Sequence, residues 1–494
     1  MAYMNDAYDY PQTFKDGSKL LIGTNIVDCG DVQLVDDNCT PDTTFVYPLR
    51  FNTAADGSGA GGSIRELRLH PDEVHLEFNA EVITGSSISE YAYFGRLQFN
   101  PAPTTGTPLA PRYDIINVTT LFNADSLQPI TVSGHELFVN HEAISVGESR
   151  GFSGDGNELT YVGYSAESCN IDVFAVNLAT GAVRRLTQHP EYCDPVSFSP
   201  DNKWMAVMDT RGSGRDMFMA GMRYVPPLID LVVNTISASV RNNGNRRFFE
   251  PYLLDYWGDR GTYFGQKING DNNGTAGSGA INDPQWNGQA DPRWSPDSTQ
   301  LVFWQTQAIS PACGGANPLP CYPSDEPGGR SFRMMLVTFV DRSPTEPLDI
   351  AEHQDEVPWG VPYVPGSAAP VRPSPPTGIY TLKGGFSGTA LVNITQSSPG
   401  VVGSVGVVYV DYSDDGLNFL NGVEYAEGGT SDYTVAYASW WSDLVMHGQT
   451  TATKKTSVDG FHVRIDALTN IFEANGTLTS VVNGTTWLQP LNDA

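Results

Sequence analysis

Three acidic residues stand just before three similar strand–turn–strand stretches of the chain. Glu148 precedes "SRGFSGDG", Asp194 precedes "PVSFSPD" and Asp291 precedes "PRWSPD". Hydrolysis of a glycosidic bond needs two carboxyl groups about 5–10 Å apart, one as acid and one as nucleophile or base. Equivalent positions in neighbouring repeats can bring such groups together, so we treat these acids as candidate catalytic residues. An acid at this point can instead cap a turn or face solvent.

Residues 246–266, "RRFFEPYLLDYWGDRGTYFGQ", supply a fourth candidate. Glu250 lies between Phe249 and Pro251, and a carboxyl group beside apolar rings suits the role of general acid. The structural alternative is an ion pair with one of the two arginines that open the segment. We keep both interpretations of Glu250.

A uronic acid substrate would bring a carboxylate, which arginine receives best through two parallel hydrogen bonds. The candidate cations are Arg211, Arg215, Arg246 and Arg247. Aromatic rings could stack on sugar faces or on an apolar aglycone. The candidate rings are Tyr252, Tyr256, Trp257 and Tyr263. The alternative for the arginines is a structural ion pair, and the alternative for the rings is packing within the fold.

The elements that must position these residues form a repeat. Five stretches share a short apolar strand, a tight turn with aspartate and an alternating strand; the turn aspartates are Asp16, Asp72, Asp155, Asp201 and Asp297. Ser-Pro-Asp and Asp-Gly are typical of turns between antiparallel strands. Units of about 40–45 residues with four strands each are typical of propeller blades. The sequence therefore predicts an all-β fold, a β-propeller with at least five four-stranded blades over residues 1–356.

The spacing of the turns locates an insertion. Asp155 and Asp201 are 46 residues apart, whereas Asp201 and Asp297 are 96 apart. With "LIDLVV" (228–233) interpreted as an outer strand, the insertion occupies about 235–290 and covers the ligand-binding face. Residues 357–376 are rich in proline and predict an extended linker. Residues 377–494 lack the blade pattern and predict a second β-rich, sandwich-like unit.

Composition excludes some partners. The chain of 494 residues carries 56 acids against 28 bases, a net charge of −28. That field repels nucleic acid and anionic membrane surfaces, so neither is an expected partner. No apolar run approaches the roughly 20 residues of a membrane-spanning helix. The start, "MAYMND", has no features of a signal peptide, so the protein is either intracellular or numbered after removal of a leader.

Cysteines and glycosylation sequons favour the second option. The six cysteines fall in close pairs, which predicts the disulfides Cys29–Cys39, Cys169–Cys193 and Cys313–Cys321. Disulfides need an oxidising compartment. The Asn-x-Ser/Thr sequons are at Asn38, Asn117, Asn273, Asn393, Asn475 and Asn483. Together these features predict a secreted, extracellular glycoprotein.

Histidines offer a different chemistry. His135 and His141 lie six residues apart in "GHELFVNHEA", a spacing that fits no standard metal-binding motif. We therefore predict no metal and no cofactor. A histidine or tyrosine could still act as the base of a lyase, which keeps that class of enzyme as an alternative.

The repeats resemble TolB-type, WD-repeat-like propellers over about residues 8–350, through the pattern "SPD…RRLT…P-x-FSPD". A narrower resemblance is carried by "DPRWSPDSTQLVFWQ" followed by "CGGANPLPC" (313–321). These stretches are similar to secreted fungal proteins of the saponin hydrolase type. The resemblance implies an enzyme that cleaves a glucuronosyl bond and releases a triterpene aglycone. It supplies no motif that fixes catalytic residues, so the candidates above depend on their positions alone.

The function expected from the sequence is that of a secreted glycoside hydrolase, of the β-glucuronidase or saponin hydrolase type, with a glycoside or saponin as its partner. Two alternatives stay open. One is a polysaccharide lyase that acts on uronic acids. The other is a non-catalytic propeller that binds glycan or protein. The sequence does not separate a retaining from an inverting reaction.

Overall fold

A computed structural model describes residues 9–51, 59, 62–84, 87–242, 248–268, 286–307, 323–324, 326–368, 370–432, 434–466 and 471–493. These residues are almost entirely β-sheet, with two short α-helices and one 3-10 turn at Pro327–Gly329. Within these ranges, no helix has both the length and the hydropathy needed to cross a bilayer.

The first two blades share one sheet. Blade 1 contains β1 (Gln12–Thr13), β2 (Lys19–Ile22), β3 (Asn25–Asp28) and β4 (Phe45–Arg50); blade 2 contains β5 (Arg65–Leu69), β6 (His75–Thr84), β7 (Ser87–Asn100) and β8 (Arg112–Thr120). Within each blade, successive strands pair antiparallel. The outer strands β4 and β8 pair in parallel at the rim and join the two blades. A hairpin of β9 (Ile130–Ser133) and β10 (Glu136–Val139) follows blade 2.

Three further sheets follow in chain order. Blade 3 contains β11 (Val146–Phe152), β12 (Glu158–Gly163), β13 (Val173–Asn177) and β14 (Val183–Arg185). Blade 4 contains β15 (Cys193–Phe198) and β16 (Trp204–Asp209), then, after helices α1 (Met217–Ala220) and α2 (Asp230–Val240), β17 (Glu250–Asp255) and β18 (Gln266–Lys267). Blade 5 contains β19 (Trp286–Gly288), β20 (Arg293–Trp294), β21 (Gln300–Gln307) and β22 (Phe332–Thr338).

The turn aspartates explain why these strands fold back. In blades 3 to 5, the serine that ends the first strand donates its hydroxyl to the aspartate two residues later; the pairs are Ser153–Asp155 at 2.5 Å, Ser199–Asp201 at 2.6 Å and Ser295–Asp297 at 2.6 Å. First strands of neighbouring blades then lie side by side, β5 against β11, β11 against β15 and β15 against β20. The predicted β-propeller is confirmed. The space enclosed by the first strands is called the channel below.

The C-terminal part is one large sheet. Its strands are β24 (Gly378–Lys383), β25 (Ser387–Ser398), β26 (Val401–Ser413), β27 (Asn418–Asp432), β28 (Val435–Gly448), β29 (Ala452–Asp466), β30 (Phe472–Val482) and β31 (Thr485–Leu488); the short β23 (Val361–Pro362) precedes them and pairs with β8. The hairpin β9–β10 joins this sheet beside β24, giving ten strands. Apolar residues of α1 and α2 cover its buried face. The unit is β-rich, as predicted, but helices pack where a sandwich would have a second sheet.

Two assignments around residue 230 are corrected. Residues 228–233, interpreted as an outer strand, lead into and begin helix α2, because Ile229, Val233, Ile236 and Val240 recur at helical spacing and are all buried. β17 pairs with β16 along its whole length. The segment 246–266 therefore contains blade strands, and the long insertion of blade 4 is the connection from 210 to 249. That connection docks on the C-terminal sheet.

The segment predicted as a linker follows the propeller surface. Trp359 donates its Nε1 hydrogen to the carbonyl of Asn177 at 3.0 Å, and β23 extends the edge of blade 2 at β8. Val357 is buried among residues of blades 2 and 3. Proline leaves this segment extended, while a few apolar contacts hold it in place.

One predicted disulfide is present and one is wrong. Cys29 and Cys39 are bonded, whereas Cys169 and Cys193 are buried free thiols. Cys193 lies on β15, while the backbone N–H of Cys169 donates to Asp230 of helix α2 at 3.0 Å. The prediction from nearness in sequence is wrong for this pair, because the helical insertion holds Cys169 in place. Cys313 and Cys321 lie outside the described residues, as does Asn273; the other five sequon asparagines are exposed.

Candidate functional site

The channel is lined by an acid-x-arginine pattern at the start of three first strands. The pattern reads Glu66-x-Arg68, Glu148-x-Arg150 and Asp291-x-Arg293. Bulges interrupt the strands at Glu66 and Glu148, and Asp291 lies just before β20, so the regular alternation of a strand does not set the direction of these side chains. Since these strands lie side by side, the pattern collects acids and guanidinium groups at the centre of the propeller.

Arg150 connects three blades. Its guanidinium group lies 2.8 Å from Glu66 of blade 2 and 2.6 Å from Glu148 of its own blade, and it contacts Asp194 of blade 4. Tyr192 donates its hydroxyl to Asp194 at 2.7 Å. Arg150 is buried, so these acids compensate a charge that has little access to water.

Arg68 makes the corresponding link between blades 2 and 5. It forms an ion pair with Asp291, whose carboxylate also lies 3.7 Å from Arg293. The guanidinium group of Arg68 stacks 4.2 Å from the ring centroid of Tyr10. Burial and the neighbouring Arg68 lower the pKa of Arg293 to about 10, so its charge is still kept near neutral pH.

Three carboxyl groups meet where the channel opens. Glu66, Glu90 and Glu148 each place an oxygen within 4.8 Å of the others. Arg65 lies 2.6 Å from Glu66 and 3.3 Å from Glu148, and it contacts Glu90. The side chains of Arg65 and Glu148 are 34% and 19% exposed, so this end of the network is open to solvent.

The environment separates the pKa values of these acids. Burial raises the pKa of Glu148 well above its ordinary value, against the attraction of Arg150. Burial also opposes ionisation of Glu66, but Arg150 and Arg65 outweigh it and hold its pKa well below the usual range. Burial raises the pKa of Glu90 to about 7. Of the two, Glu66 therefore ionises more readily, and Glu148 keeps its proton to higher pH.

A cavity of about 220 Å³ adjoins this cluster. Tyr10, Gly23, Arg65 and Glu66 are among its lining residues. Tyr10 donates its hydroxyl to Glu66 at 3.3 Å. Burial raises the pKa of Tyr10 well above its ordinary value, so this hydroxyl is a hydrogen-bond donor at neutral pH and cannot serve as a base.

The structure brings three of the four proposed carboxylates to the channel. Glu148, Asp194 and Asp291 join the same network of arginines. Glu250 does not, because β17 is the third strand of its blade; Glu250 is buried, 3.7 Å from the ammonium group of Lys267. The blade assignment of residues 246–266 was wrong, and the position of Glu250 is corrected with it.

The proposed cations lie elsewhere. Arg211 is buried and paired with Asp209 at 2.6 Å and Asp259 at 2.9 Å. Arg215 donates from Nε to the carbonyl of Val240 at 2.8 Å, which ties the insertion together. These contacts give both arginines a structural role. Arg246 and Arg247 lie outside the described residues.

Three of the four proposed rings pack within blade 4 or against blade 3. The Tyr252 hydroxyl donates to the carbonyl of Arg211 at 3.0 Å, and the Tyr263 hydroxyl accepts from the backbone of Asp255 at 2.9 Å. Tyr256 donates to Glu158 at 3.1 Å, beneath the guanidinium group of Arg184. Trp257 is exposed, and its ring lies 5.1 Å from that of Tyr256.

Sequence reasoning missed six charged members of the network, which are Arg65, Glu66, Arg68, Glu90, Arg150 and Arg293. The signal was available for most of them, because Glu66 precedes the turn aspartate Asp72 by six residues, as Asp291 precedes Asp297. Glu90 lies on β7, the third strand of blade 2, and contributes to the cluster from there. No repeat spacing in the sequence indicates this position. His135 and His141 are exposed beside the C-terminal sheet, outside this network.

The same three glutamates are also the group, among the described residues, whose oxygens lie close enough to share a cation. Arg65 and Arg150 already compensate two of their charges. The raised pKa of Glu148 makes it a weaker ligand than an ordinary carboxylate.

No family model matches the chain, and no curated protein matches it. Solved structures with similarity include TolB of Agrobacterium tumefaciens, 14% identical over 61% of this chain and 70% of that one, with a TM-score of 0.31. TolB of Acinetobacter baumannii is 14% identical over 84% and 65%, with a TM-score of 0.21. The β-propeller domain of a trilobed protease from Pyrococcus furiosus is 7% identical over 88% and 99%, with a TM-score of 0.24. At these values the similarities carry no argument about function.

Proposed function

We propose that the protein is a glycoside hydrolase that uses Glu148 as general acid and Glu66 as nucleophile. The observation that supports this proposal is a close pair of carboxyl groups whose pKa values are shifted in opposite directions. Such a separation lets one carboxyl group give a proton while the other stays ionised. Their oxygens lie within 4.8 Å of each other, which is closer than the roughly 6.5–9.5 Å of inverting enzymes, so we assign the retaining outcome.

The proposed reaction has two steps. Glu148 gives its proton to the glycosidic oxygen while a Glu66 oxygen attacks the anomeric carbon, so the bond to the aglycone breaks and a glycosyl ester forms. Glu148, now ionised, then takes a proton from water; the water oxygen attacks the same carbon and releases Glu66. Arg150 keeps Glu66 ionised before the first step and again after water has released it from the ester.

For the substrate, we propose a glucuronide. Arg65 is the partly exposed guanidinium group at the channel mouth, and we assign it to the substrate carboxylate. The triterpene aglycone is supported only by the resemblance to saponin hydrolases. Secretion is supported by the Cys29–Cys39 bond and by five exposed sequons.

The test compares Glu148→Gln and Glu66→Gln on two aryl glucuronides, one with a good leaving group and one with a poor one. Loss of the acid should lower kcat by about 100-fold or more on the poor leaving group and much less on 4-nitrophenyl glucuronide, which needs little protonation. Loss of the nucleophile, in Glu66→Gln, should lower kcat on both glucuronides. The matched control is Glu473→Gln, an exposed acid 3.7 Å from Arg464 on the C-terminal sheet.

The second candidate is a non-catalytic propeller that binds glycan or protein. It is favoured by the ion pairs of Arg68 and Arg150, because links between blades explain these charges without any reaction. Under this alternative, both glutamine variants melt at a lower temperature and the parental protein hydrolyses no glucuronide. A lyase would instead release an unsaturated uronate, which ultraviolet absorbance detects.

A further inference from the structure

A second cavity lies away from the channel, between the propeller and the C-terminal sheet. Its volume is about 300 Å³. Its walls come from four parts of the chain: Val139 and His141 at the end of the β9–β10 hairpin, the side of blade 3, residues 224–227 of the blade 4 insertion, and the turn between β26 and β27. We call it the junction groove. None of its lining residues belongs to the channel network.

The junction groove has an apolar floor and polar walls. Val139, Phe174, Val183 and Val225 contribute apolar surface. Two prolines, at 226 and 227, follow directly and fix that side of the groove. This combination suits a ligand with one apolar face and polar edges.

Tyr224 stands at the rim as an exposed aromatic platform. Its side chain is 46% exposed, although its backbone has a φ of 64°, in the left-handed region that costs free energy for a residue with a side chain. The Tyr224 N–H donates to Glu167 at 2.9 Å, which holds this conformation. The fold therefore keeps an aromatic ring at the cavity edge in a preset position.

The acidic side chains of the groove already accept hydrogen bonds from neighbouring groups of the protein. Glu167 accepts from Arg223 at 2.6 Å and from Arg185 at 2.8 Å, and although burial opposes it, the guanidinium group of Arg223 helps to lower the pKa of Glu167 to about 2. Asp415 accepts backbone hydrogens from Leu417 at 2.7 Å and Asn418 at 2.8 Å.

Asp414 on the same wall accepts from the Tyr412 hydroxyl at 2.9 Å and from Gly385 N–H at 2.8 Å. These carboxylates can accept further hydroxyl hydrogens, because each has more lone pairs than the contacts use. Asp414 and Asp415 would repel an anion, whereas a neutral polyol can donate its hydroxyl hydrogens to them.

We infer that the junction groove binds a neutral pyranose ring, stacked on Tyr224 with its hydroxyl groups directed to the Asp414 wall. A pyranose presents C–H groups on one face and hydroxyl groups at its edges, which matches the apolar floor and polar walls. This inference does not rest on the proposed hydrolase activity. It gives the protein a glycan-binding site separate from the channel.

The test measures binding of methyl β-D-glucopyranoside, methyl β-D-galactopyranoside and methyl α-D-mannopyranoside by saturation-transfer NMR and calorimetry. At least one should bind in the millimolar range or tighter. Tyr224→Ala should weaken it by about tenfold or more, and Tyr224→Phe by less than about twofold, because stacking needs the ring and not the hydroxyl group. Tyr437→Ala is the matched control, since Tyr437 is also 46% exposed but lies on another face of the C-terminal sheet.

A second variant covers the case in which Tyr224→Ala does not fold. Val183→Phe fills the floor from β14 and should abolish binding without touching Tyr224. Failure of all three sugars to bind, or unchanged binding in both groove variants, would overturn the inference. Binding of hexylammonium in their place would overturn it too. Glu148→Gln should keep the sugar affinity, so failure at the channel and failure at the groove are read separately.

Discussion

The channel of the propeller and the interior of the C-terminal sheet both contain buried charges, but these are compensated differently. In the channel, Arg150 contacts acids of three blades, and Asp291 is shared by Arg68 and Arg293. The interior of the sheet is mainly apolar around helix α2, and within its described part Lys454 and Glu424 form a buried pair at 2.9 Å, with the buried Asp230 of α2 as a further acid that attracts Lys454. Trp440 donates to Glu424 at 3.0 Å.

The two regions differ in which of their ionisable groups have pKa values near neutral pH. In the sheet interior, burial opposes the charge of Lys454, but Glu424 outweighs it and raises the lysine pKa, so Lys454 keeps its charge. In the channel, acids outnumber the guanidinium groups that can reach them, and Glu77, Glu90 and Glu148 have raised pKa values. A network with more acids than guanidinium groups can therefore keep a carboxyl group protonated, whereas the Lys454–Glu424 pair stabilises one packing arrangement.

The largest effect is expected from Arg68→Met in the channel. It leaves Asp291 buried without its main cation, so the free energy of unfolding should fall by about 3–5 kcal/mol, measured by denaturant titration. Adding Asp291→Asn should recover only part of the loss, because Arg293 then loses the carboxylate that it contacts. Full recovery in the double variant would show that the channel consists of separate pairs.

Lys454→Met tests the other region and should cost about 3 kcal/mol, near the lower end for a broken buried pair. Here the double variant with Glu424→Gln should return close to the parental stability, because glutamine removes the charge and keeps an acceptor for Trp440. The same denaturant titration measures both variants. If the double variant stays as unstable as the single one, the pair belongs to a wider network and the contrast with the channel fails.

Sequence reasoning reached the propeller because its turns repeat locally. Each Ser-x-Asp turn makes its own hydrogen bonds, so the pattern does not depend on distant residues. It failed at residues 228–240, where a helix is stabilised by the C-terminal sheet about 200 residues away in sequence. That docking also holds Cys169 beside helix α2, away from Cys193. Because the helix belongs to the insertion, residues 250–255 are a blade strand and not part of the insertion.

The candidate site was predictable in part for the same reason. Glu148, Asp194 and Asp291 were found by their equivalent positions, and Glu66 obeys the same rule. What the sequence could not give is the partner of each acid, because Arg150 reaches carboxylates on three blades. Which acid holds a proton depends on those distances, and so does the choice between nucleophile and acid.

The proton in the channel should appear in the pH dependence of stability. Burial raises the pKa of Glu77 from its ordinary 4.5 to about 8, against the attraction of Arg68. The folded protein then holds a proton that the unfolded chain releases, so Glu77 lowers the stability progressively as pH rises from about 4.5 to 8. The depressed pKa of Glu66 acts at lower pH, where stability falls on acidification.

Glu77→Gln isolates this contribution, because glutamine stays neutral at every pH. Thermal melts of the variant and the parental protein between pH 5 and 8 should diverge, with the variant gaining relative stability as pH rises. Glu90, with a pKa of about 7, changes in the same direction in both proteins and cancels in the difference. A constant difference across this range would mean that Glu77 is ionised throughout.

The smallest effect is expected from Arg260→Ala, which removes an ion pair of similar geometry from the surface. Arg260 lies 2.6 Å from Asp255, a distance equal to that between Arg150 and Glu148, but its side chain is 48% exposed. Water and salt screen such a pair, and holding two long side chains costs entropy. The melting temperature should stay within the error of the parental value, at low and at high salt. A clear loss would mean that distance, and not the burial that separates the channel from the surface, governs the strength of these pairs.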